Sequence, residues 1–169
     1  MGRLTLVAAV AATAFAGVTL ASPSFAIRGD EWIGTYAVKQ DGTLGGLQAA
    51  FGKPGRLTPT RDGCTALWGS IGLRVTLYNL GGKNPCRPKT GYFGSALLTG
   101  ARWSTGKGLR PGDTLARLRR LYPRAERHGS SWWLVIRFTQ ATGRYPGLQA
   151  SVAGGTVASF LIIYGAGGD

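Results

Sequence analysis

Two segments of this chain share a short motif whose apolar residues have helical spacing. Each motif is followed by runs whose apolar residues have the spacing of β-strands. Residues 41–57 read DGTLGGLQAAFGKPGRL and residues 112–128 read GDTLARLRRLYPRAERH, so both contain Thr-Leu-x-x-Leu. Behind each segment, apolar residues recur at alternate positions instead of every three or four. Because the same order of elements occurs twice, we interpret the chain as two copies of one structural unit.

Capping residues bound both predicted helices. Thr43 is expected to cap the first helix, which ends before Gly52, and either Asp113 or Thr114 caps the second, which ends at Pro123. The apolar stripes of the two helices consist of Leu44, Leu47, Phe51, Leu115, Leu118, Leu121 and Tyr122.

Runs of alternating residues between turn-forming clusters predict the strands. They are residues 64–70, 72–80 and 91–100 in the first half, and residues 131–140, 147–154 and 156–165 in the second. Residues 31–38 and 101–110 could each add a strand before the helix. The prediction is therefore an α+β fold of two tandem units, about 31–100 and 101–165, each a helix packed on an antiparallel sheet.

Residues 1–26 have the organisation of a secretory signal peptide. One positive charge precedes the apolar run 4–20, and the triplet Ser-Phe-Ala at 24–26 offers small residues at the −3 and −1 positions of a cleavage site. Cleavage after Ala21 is one alternative. An uncleaved anchor is another, although a spanning helix usually needs about 20 apolar residues. We expect a single exported domain of residues 27–169, secreted or held in the periplasm or cell envelope, with no transmembrane segment.

The chain contains two cysteines, Cys64 and Cys86. In an exported chain, oxidation favours a disulfide between them. Free thiols or a metal site are the alternatives, but a metal site needs further ligands and His128 is the only histidine. We therefore predict one disulfide, which stabilises the fold by about 3 kcal/mol, and we expect no bound metal or cofactor.

Alternation assigns the strand residues to two faces. The face expected to lie under the helices carries Leu73, Val75, Leu77, Leu134 and Ile136. The opposite, solvent-facing side carries Arg74, Thr76, Tyr78, Trp133, Val135, Arg137, Gln149 and Ser151. Trp, Tyr and Arg are enriched in interface hot spots, so a partner-binding site is predicted on this side. Its residues are Arg74, Tyr78, Trp133, Arg137 and Gln149. Residues 156–164 are apolar on both faces and stay unassigned.

The segments DGTLGGLQAAFGKP and GLRPGDTLARLRRLYP, each followed by a Trp-bearing strand, resemble the repeats of the β-lactamase inhibitory protein family, whose single-unit relatives include lipoproteins of the BamE type. The resemblance covers most of residues 31–165. It implies one continuous curved sheet with helices on its convex side and a concave face able to grip a protein. Two departures weaken the analogy: only the first unit carries a cysteine pair, and no lipidation cysteine follows the signal peptide. No inhibitory residue carries over.

Residues suited to catalysis are few and scattered, so we predict a non-enzymatic protein with no catalytic residue. The chain has seven carboxylates, and its one histidine, His128, lies in a segment expected to be a polar turn. Asp41 and Asp113 could form a glycosidase pair, but both precede helices, where an acidic residue favours the helix dipole. Metal-binding and phosphate-loop patterns are absent from the sequence. An Arg-Gly-Asp triplet at 28–30 lies in an N-terminus expected to fray.

Positive charge suggests a second class of function. The net charge is +13, or +12 without Arg3 of the signal peptide, and the other 19 basic residues are dispersed from Arg28 to Arg144. We expect nonspecific attraction to anionic surfaces and no specific recognition of nucleic acid. The leading hypothesis is a monomeric protein-binding module, inhibitor-like or scaffold-like, with an unidentified protein partner. The alternative is a cationic cell-envelope protein held by anionic polymers or lipids, whose attachment weakens at high salt.

Overall fold

The computed structural model describes residues 24–39, 42–79, 86–140 and 143–164. The predicted signal peptide therefore lies outside the described residues except for its last three positions, and Asp41 lies outside them as well. None of the described helices is long and apolar enough to cross a membrane.

The described residues form two helices, a short 3-10 turn at Gly69–Ile71 and twelve strands. The helices are α1 (Leu44–Phe51) and α2 (Leu115–Leu121). The strands are β1 (Ala26–Arg28), β2 (Trp32–Ile33), β3 (Tyr36–Ala37), β4 (Arg56–Pro59), β5 (Gly63–Trp68), β6 (Leu73–Tyr78), β7 (Tyr92–Leu98), β8 (Ser104–Thr105), β9 (Glu126–His128), β10 (Ser131–Thr139), β11 (Gly143–Ala153) and β12 (Thr156–Ile163).

Both helices begin at the predicted threonines. The Thr43 hydroxyl accepts a hydrogen bond from the Gly46 backbone N–H at 3.3 Å, and the Thr114 hydroxyl accepts one from the Arg117 N–H at 3.2 Å. Each bond satisfies one of the free N–H groups of the first turn. Asp113, the other candidate cap, instead accepts a hydrogen bond from the backbone N–H of Arg110 at 2.8 Å.

Eight strands form one antiparallel sheet in the order β4-β5-β6-β7-β12-β11-β10-β9. A helix followed by four consecutive strands thus occurs twice along the chain, and the two sets of strands meet at β7 and β12. The remaining strands form a small sheet in the order β3-β2-β1-β8, in which β1 and β8 are parallel. The predicted α+β class is confirmed.

The strand prediction was incomplete. Strands β1, β4 and β9 were missed: β1 lies where the signal peptide was expected to end, and the short sequences RLTP and ERH of β4 and β9 have no apolar alternation. The segment 31–38 forms two short strands instead of one, because the chain turns at Gly34, whose φ of 61° lies in the left-handed region. Within 101–110, only Ser104–Thr105 is a strand.

The core lies between one face of the eight-stranded sheet and a layer made of both helices and the small sheet. Leu44, Leu47 and Leu118 have no exposed surface, as predicted for the helix stripes. Trp103 is also fully buried, and its indole N–H donates to the backbone oxygen of Ile71 at 2.7 Å. This bond satisfies the one polar group of the largest fully buried side chain.

The predicted disulfide is confirmed. Cys64 and Cys86 are bonded, with their Cα atoms 5.2 Å apart, which is an ordinary separation for a disulfide. Cys64 is buried in β5, and Cys86 precedes β7, so the bond fastens the segment before β7 to the first half of the sheet.

Candidate functional site

The side of the eight-stranded sheet that faces away from the helices is called here the outer face. Along β6, Leu73, Val75 and Leu77 are fully buried under the helix layer, whereas Arg74 and Tyr78 between them are exposed. Both helices of the described residues pack on the buried side. The outer face is therefore open to solvent in this part of the molecule.

One residue from each of the eight strands lies in a single row across the outer face. Cross-strand pairing aligns them in the order Arg56, Leu67, Arg74, Leu97, Leu161, Gln149, Trp133 and Glu126. We call these residues the outer row. Neighbouring strands lie about 4.8 Å apart, so the row is roughly 34 Å long, as wide as an ordinary protein-binding surface.

The centre of the outer row is apolar and its ends are polar or aromatic. Leu67, Leu97 and Leu161 are partly buried among their neighbours on the sheet, while Arg56 and Arg74 are exposed. Leu67 lies between the two arginines, and Leu97 and Leu161 lie between Arg74 and Gln149. These partly buried leucines leave apolar surface that a second protein could cover.

Two exposed tyrosines extend the outer face beside the row. Tyr78 is 44% exposed, and its cross-strand partner Tyr92 is 65% exposed. The Tyr78 ring lies directly over Gly94, where a Cβ atom would overlap it. Gly94 therefore allows an aromatic ring to lie flat on the sheet while one side of the ring stays open to a partner.

Trp133 is held in place by His128. Their rings are stacked with centroids 3.7 Å apart and planes 16° apart. The Nε2 atom of His128 is 3.6 Å from a carboxylate oxygen of Glu126, which also pairs with Arg144. The hydrogen bond from Arg144 lowers the pKa of Glu126. His128 lies at the end of β9 instead of in a polar turn. The stacking could not be predicted from the sequence, because β9 itself was not predicted.

Arg137 does not belong to the outer face, and its predicted placement there was wrong. Its guanidinium donates to the two carboxylate oxygens of Asp30 at 2.8 and 2.6 Å, and to Glu31 at 3.2 Å. Asp30 is only 5% exposed and lies in the turn between β1 and β2. The hydrogen bonds that Arg137 donates to Asp30 raise the pKa of Arg137. Arg137 therefore extends toward the small sheet.

Register shifts in β10 are the reason for this error. The pairing with β11 slips between Trp133 and Val135 and again between Val135 and Ile136. As a result, Val135, which was predicted to face solvent, packs against the core, whereas Phe138, two residues after Ile136, is 70% exposed. Strict alternation cannot place residues beyond a bulge, because each extra residue reverses the faces.

The structure also assigns faces to the last residues of β12, which the sequence left unassigned. Phe160 and Ile162 are fully buried, so Leu161 and Ile163, which alternate with them, point to the outer face. Four predicted residues, Arg74, Tyr78, Trp133 and Gln149, share the outer face. The sequence reasoning missed five members of the outer row, which are Arg56, Leu67, Leu97, Leu161 and Glu126.

The contacts of the Arg-Gly-Asp triplet at 28–30 also differ from the expected frayed N-terminus. Asp30 is buried against Arg137, and the Arg28 guanidinium lies 4.6 Å from the ring centroid of Trp32. The triplet is therefore part of the folded structure instead of a frayed N-terminus, and its carboxylate is already occupied.

Comparisons with known proteins give no family. No family model matches the chain, and no curated protein matches it. An extracellular protein containing a SCP domain from Bacillus anthracis str. Ames is similar in structure, with a TM-score of 0.41 and 10% identity. The alignment covers 69% of this chain but 41% of that protein, so the chain spans about two fifths of its length. A TM-score below 0.5 does not establish a shared fold.

Proposed function

We propose that this protein is an exported, non-enzymatic binding module that holds a partner protein against the outer face. The observation that carries the proposal is the outer row, which crosses all eight strands with leucines at its centre. Tryptophan, tyrosine and arginine, the residue types that dominate interface energies, lie along it or beside it. The partner is expected to offer an apolar surface with carboxylates opposite Arg56 and Arg74.

The proposal includes an architecture of two tandem units. One matched pair of backbone hydrogen bonds supports it. The Phe93 N–H donates to the oxygen of Gly42, and the Val157 N–H donates to the oxygen of Asp113, both at 2.8 Å. The two acceptors are 71 residues apart, as are Leu44 and Leu115. Each bond joins the residue two positions before a helix to the second residue of the last strand in that half. Superposing the halves should place Leu44 on Leu115.

Export and the lack of catalysis also belong to the proposal. The disulfide Cys64–Cys86 fits an oxidising compartment outside the cytoplasm. Three carboxylates that could act in catalysis, those of Asp30, Asp113 and Glu126, are each held by an arginine. Such pairing supports a structural role for these groups.

The test is a binding measurement with the partner captured from the secreted fraction of the producing organism at moderate salt. Trp133→Ala and Tyr78→Ala should each weaken binding by about 2 kcal/mol, which is roughly 30-fold. Trp32→Ala, which removes a partly buried tryptophan from the small sheet on the other side of the molecule, is the matched control and should leave the affinity unchanged. Circular dichroism and thermal unfolding verify that each variant is folded.

The alternative, a cationic envelope protein held by charge, gives a different result in the same experiment. Its retention would be lost at high salt and would not depend on Trp133 or Tyr78. If both tyrosine and tryptophan variants unfold, these side chains are part of the core and the outer face is not the binding site.

A further inference from the structure

A large share of the positive charge lies in one stretch of 25 residues. Residues 101–125 contain seven of the 20 basic residues of the chain and one of its seven acidic residues. All seven basic side chains are exposed. We call them the basic surface, which consists of Arg102, Lys107, Arg110, Arg117, Arg119, Arg120 and Arg124.

Tertiary contacts bring the loop before α2 against the helix itself. Arg117 donates to the backbone oxygen of Gly108 at 3.3 Å, and the Lys107 ammonium lies 4.8 Å from the ring centroid of Tyr122. The fully buried Leu109 fixes the loop beneath these contacts. The loop around Lys107 and the helix therefore share one surface, while the guanidinium groups of Arg102 and Arg119 lie over the rings of Phe25 and Trp132, 4.0 and 5.2 Å from their centroids.

The single carboxylate in this stretch does not neutralise the surface. Asp113 is 3.0 Å from the Arg117 guanidinium, so it offsets one positive charge. Six of the seven basic residues are arginines, whose planar guanidinium groups bind phosphate oxygens in pairs. The arrangement is suited to a ligand that presents several phosphates at intervals.

The composition of the surface favours a hydrophilic polymer over a bilayer. The exposed large hydrophobic residues of the described chain are Leu57, Tyr78, Tyr92 and Phe138. None of them lies in residues 101–125, whereas segments that bind within a membrane surface insert apolar side chains. The surface also lacks an exposed aromatic ring on which a nucleic acid base could stack, which limits recognition to the phosphates.

We propose that the basic surface binds a linear phosphodiester polymer of the cell surface through its phosphate groups. Helix α2 buries Leu118 against the core side of the sheet, so its arginines point away from the outer face. A polymer on the basic surface and a protein on the outer face can therefore be bound at the same time. The proposal rests on export, which is part of the proposed function, but not on the outer face being a binding site.

The test uses poly(glycerol phosphate) as the probe and two double variants with equal loss of charge. Arg120→Gln/Arg124→Gln removes two charges from the basic surface, and Arg61→Gln/Arg87→Gln removes two exposed charges elsewhere. The first should weaken binding at least about 10-fold and should reduce the slope of log affinity against log salt by about 1.4, the value for two lost phosphate contacts. The second should change the affinity less than about 2-fold.

Three outcomes would overturn the proposal. Equal weakening by both double variants would show that only net charge matters. If phosphatidylglycerol vesicles bind as tightly as the polymer, and the first double variant loses this vesicle binding, the basic surface is a membrane-binding site instead. If the first double variant and a further one, Arg110→Gln/Arg124→Gln, both bind the polymer like the wild type, the basic surface is not its binding site. Trp133→Ala should bind the polymer like the wild type, which separates this test from that of the outer face.

Discussion

Asp30 is the one buried charged side chain among the described residues, and a single arginine neutralises it. Its carboxylate is 5% exposed and accepts two hydrogen bonds from Arg137, which is itself 43% exposed at the side chain. Gly147 provides the space, because a Cβ at that position would overlap the Asp30 carboxylate. The ion pair therefore fastens the turn between β1 and β2 to strand β10.

Removing Arg137 should destabilise the protein more than removing a typical surface charge. Arg137→Met leaves the Asp30 carboxylate buried without its partner, so the free energy of unfolding should fall by about 2 to 4 kcal/mol. Arg144→Met, which breaks an exposed ion pair, is the control and should cost at most about 1 kcal/mol. Urea denaturation measures both. Equal, small effects would show that the ion pair is not structural.

The Glu126–Arg144 pair should make stability depend on pH. The hydrogen bond from Arg144 lowers the pKa of Glu126 below its ordinary value of 4.5. An acid whose pKa is lower in the folded state stabilises that state above its ordinary pKa and loses this effect as the pH falls through the folded value. The difference in Tm between wild type and Glu126→Gln should therefore shrink as the pH falls below the ordinary value of 4.5.

The Arg144→Gln background provides the control for this titration. There, Glu126→Gln should have a smaller effect at every pH, because the main cause of the lowered pKa is gone. If the difference in Tm between wild type and Glu126→Gln stays constant as the pH is lowered, the Glu126–Arg144 pair is not the source of a pH-dependent stability.

At the scale of elements, local periodicity predicted the helices and the long, regular strands. Thr43 and Thr114 marked the helix starts, and alternation located the six longer strands, because a buried face imposes its period on the sequence. The edge strands β4 and β9 were not predicted, because an edge strand has few buried positions, and all four residues of β4 are exposed. The alignment of the outer row was not predicted, because the register between distant strands is set by the whole sheet and is not visible in any local sequence pattern.

The disulfide should be the strongest single constraint on the first half of the sheet. It joins residues 22 positions apart, and closing a loop of this length restricts the unfolded chain by about 3 kcal/mol. Cys64→Ser/Cys86→Ser should lower the free energy of unfolding in urea by that amount. Reductant should shift the wild type to the same midpoint and leave the double variant unchanged. Uptake of two alkylating groups by the unreduced wild type would contradict the bond.

At the scale of the whole molecule, the fold separates two surfaces of different chemistry. The helices and the small sheet cover one side of the eight-stranded sheet, and their exposed side carries the arginines of the basic surface. The other side carries leucines, tyrosines and Trp133 on strands β5, β6, β7, β10 and β12. A protein partner and an anionic polymer would therefore not compete for one site, and salt should weaken polymer binding far more than protein binding.

Site-specific photo-cross-linking tests the central claim, that the outer face holds the partner, most directly. A benzophenone side chain is placed at Leu97 or Leu161, both in the outer row, or at the exposed Ala116 on helix α2 as the control. In the secreted fraction of the producing organism, the two outer-row probes should give the same cross-linked protein and the Ala116 probe should not. Excess unmodified wild type should suppress the product, whereas excess Trp133→Ala should not. A partner that cross-links through Ala116 and through neither leucine position would contradict the account.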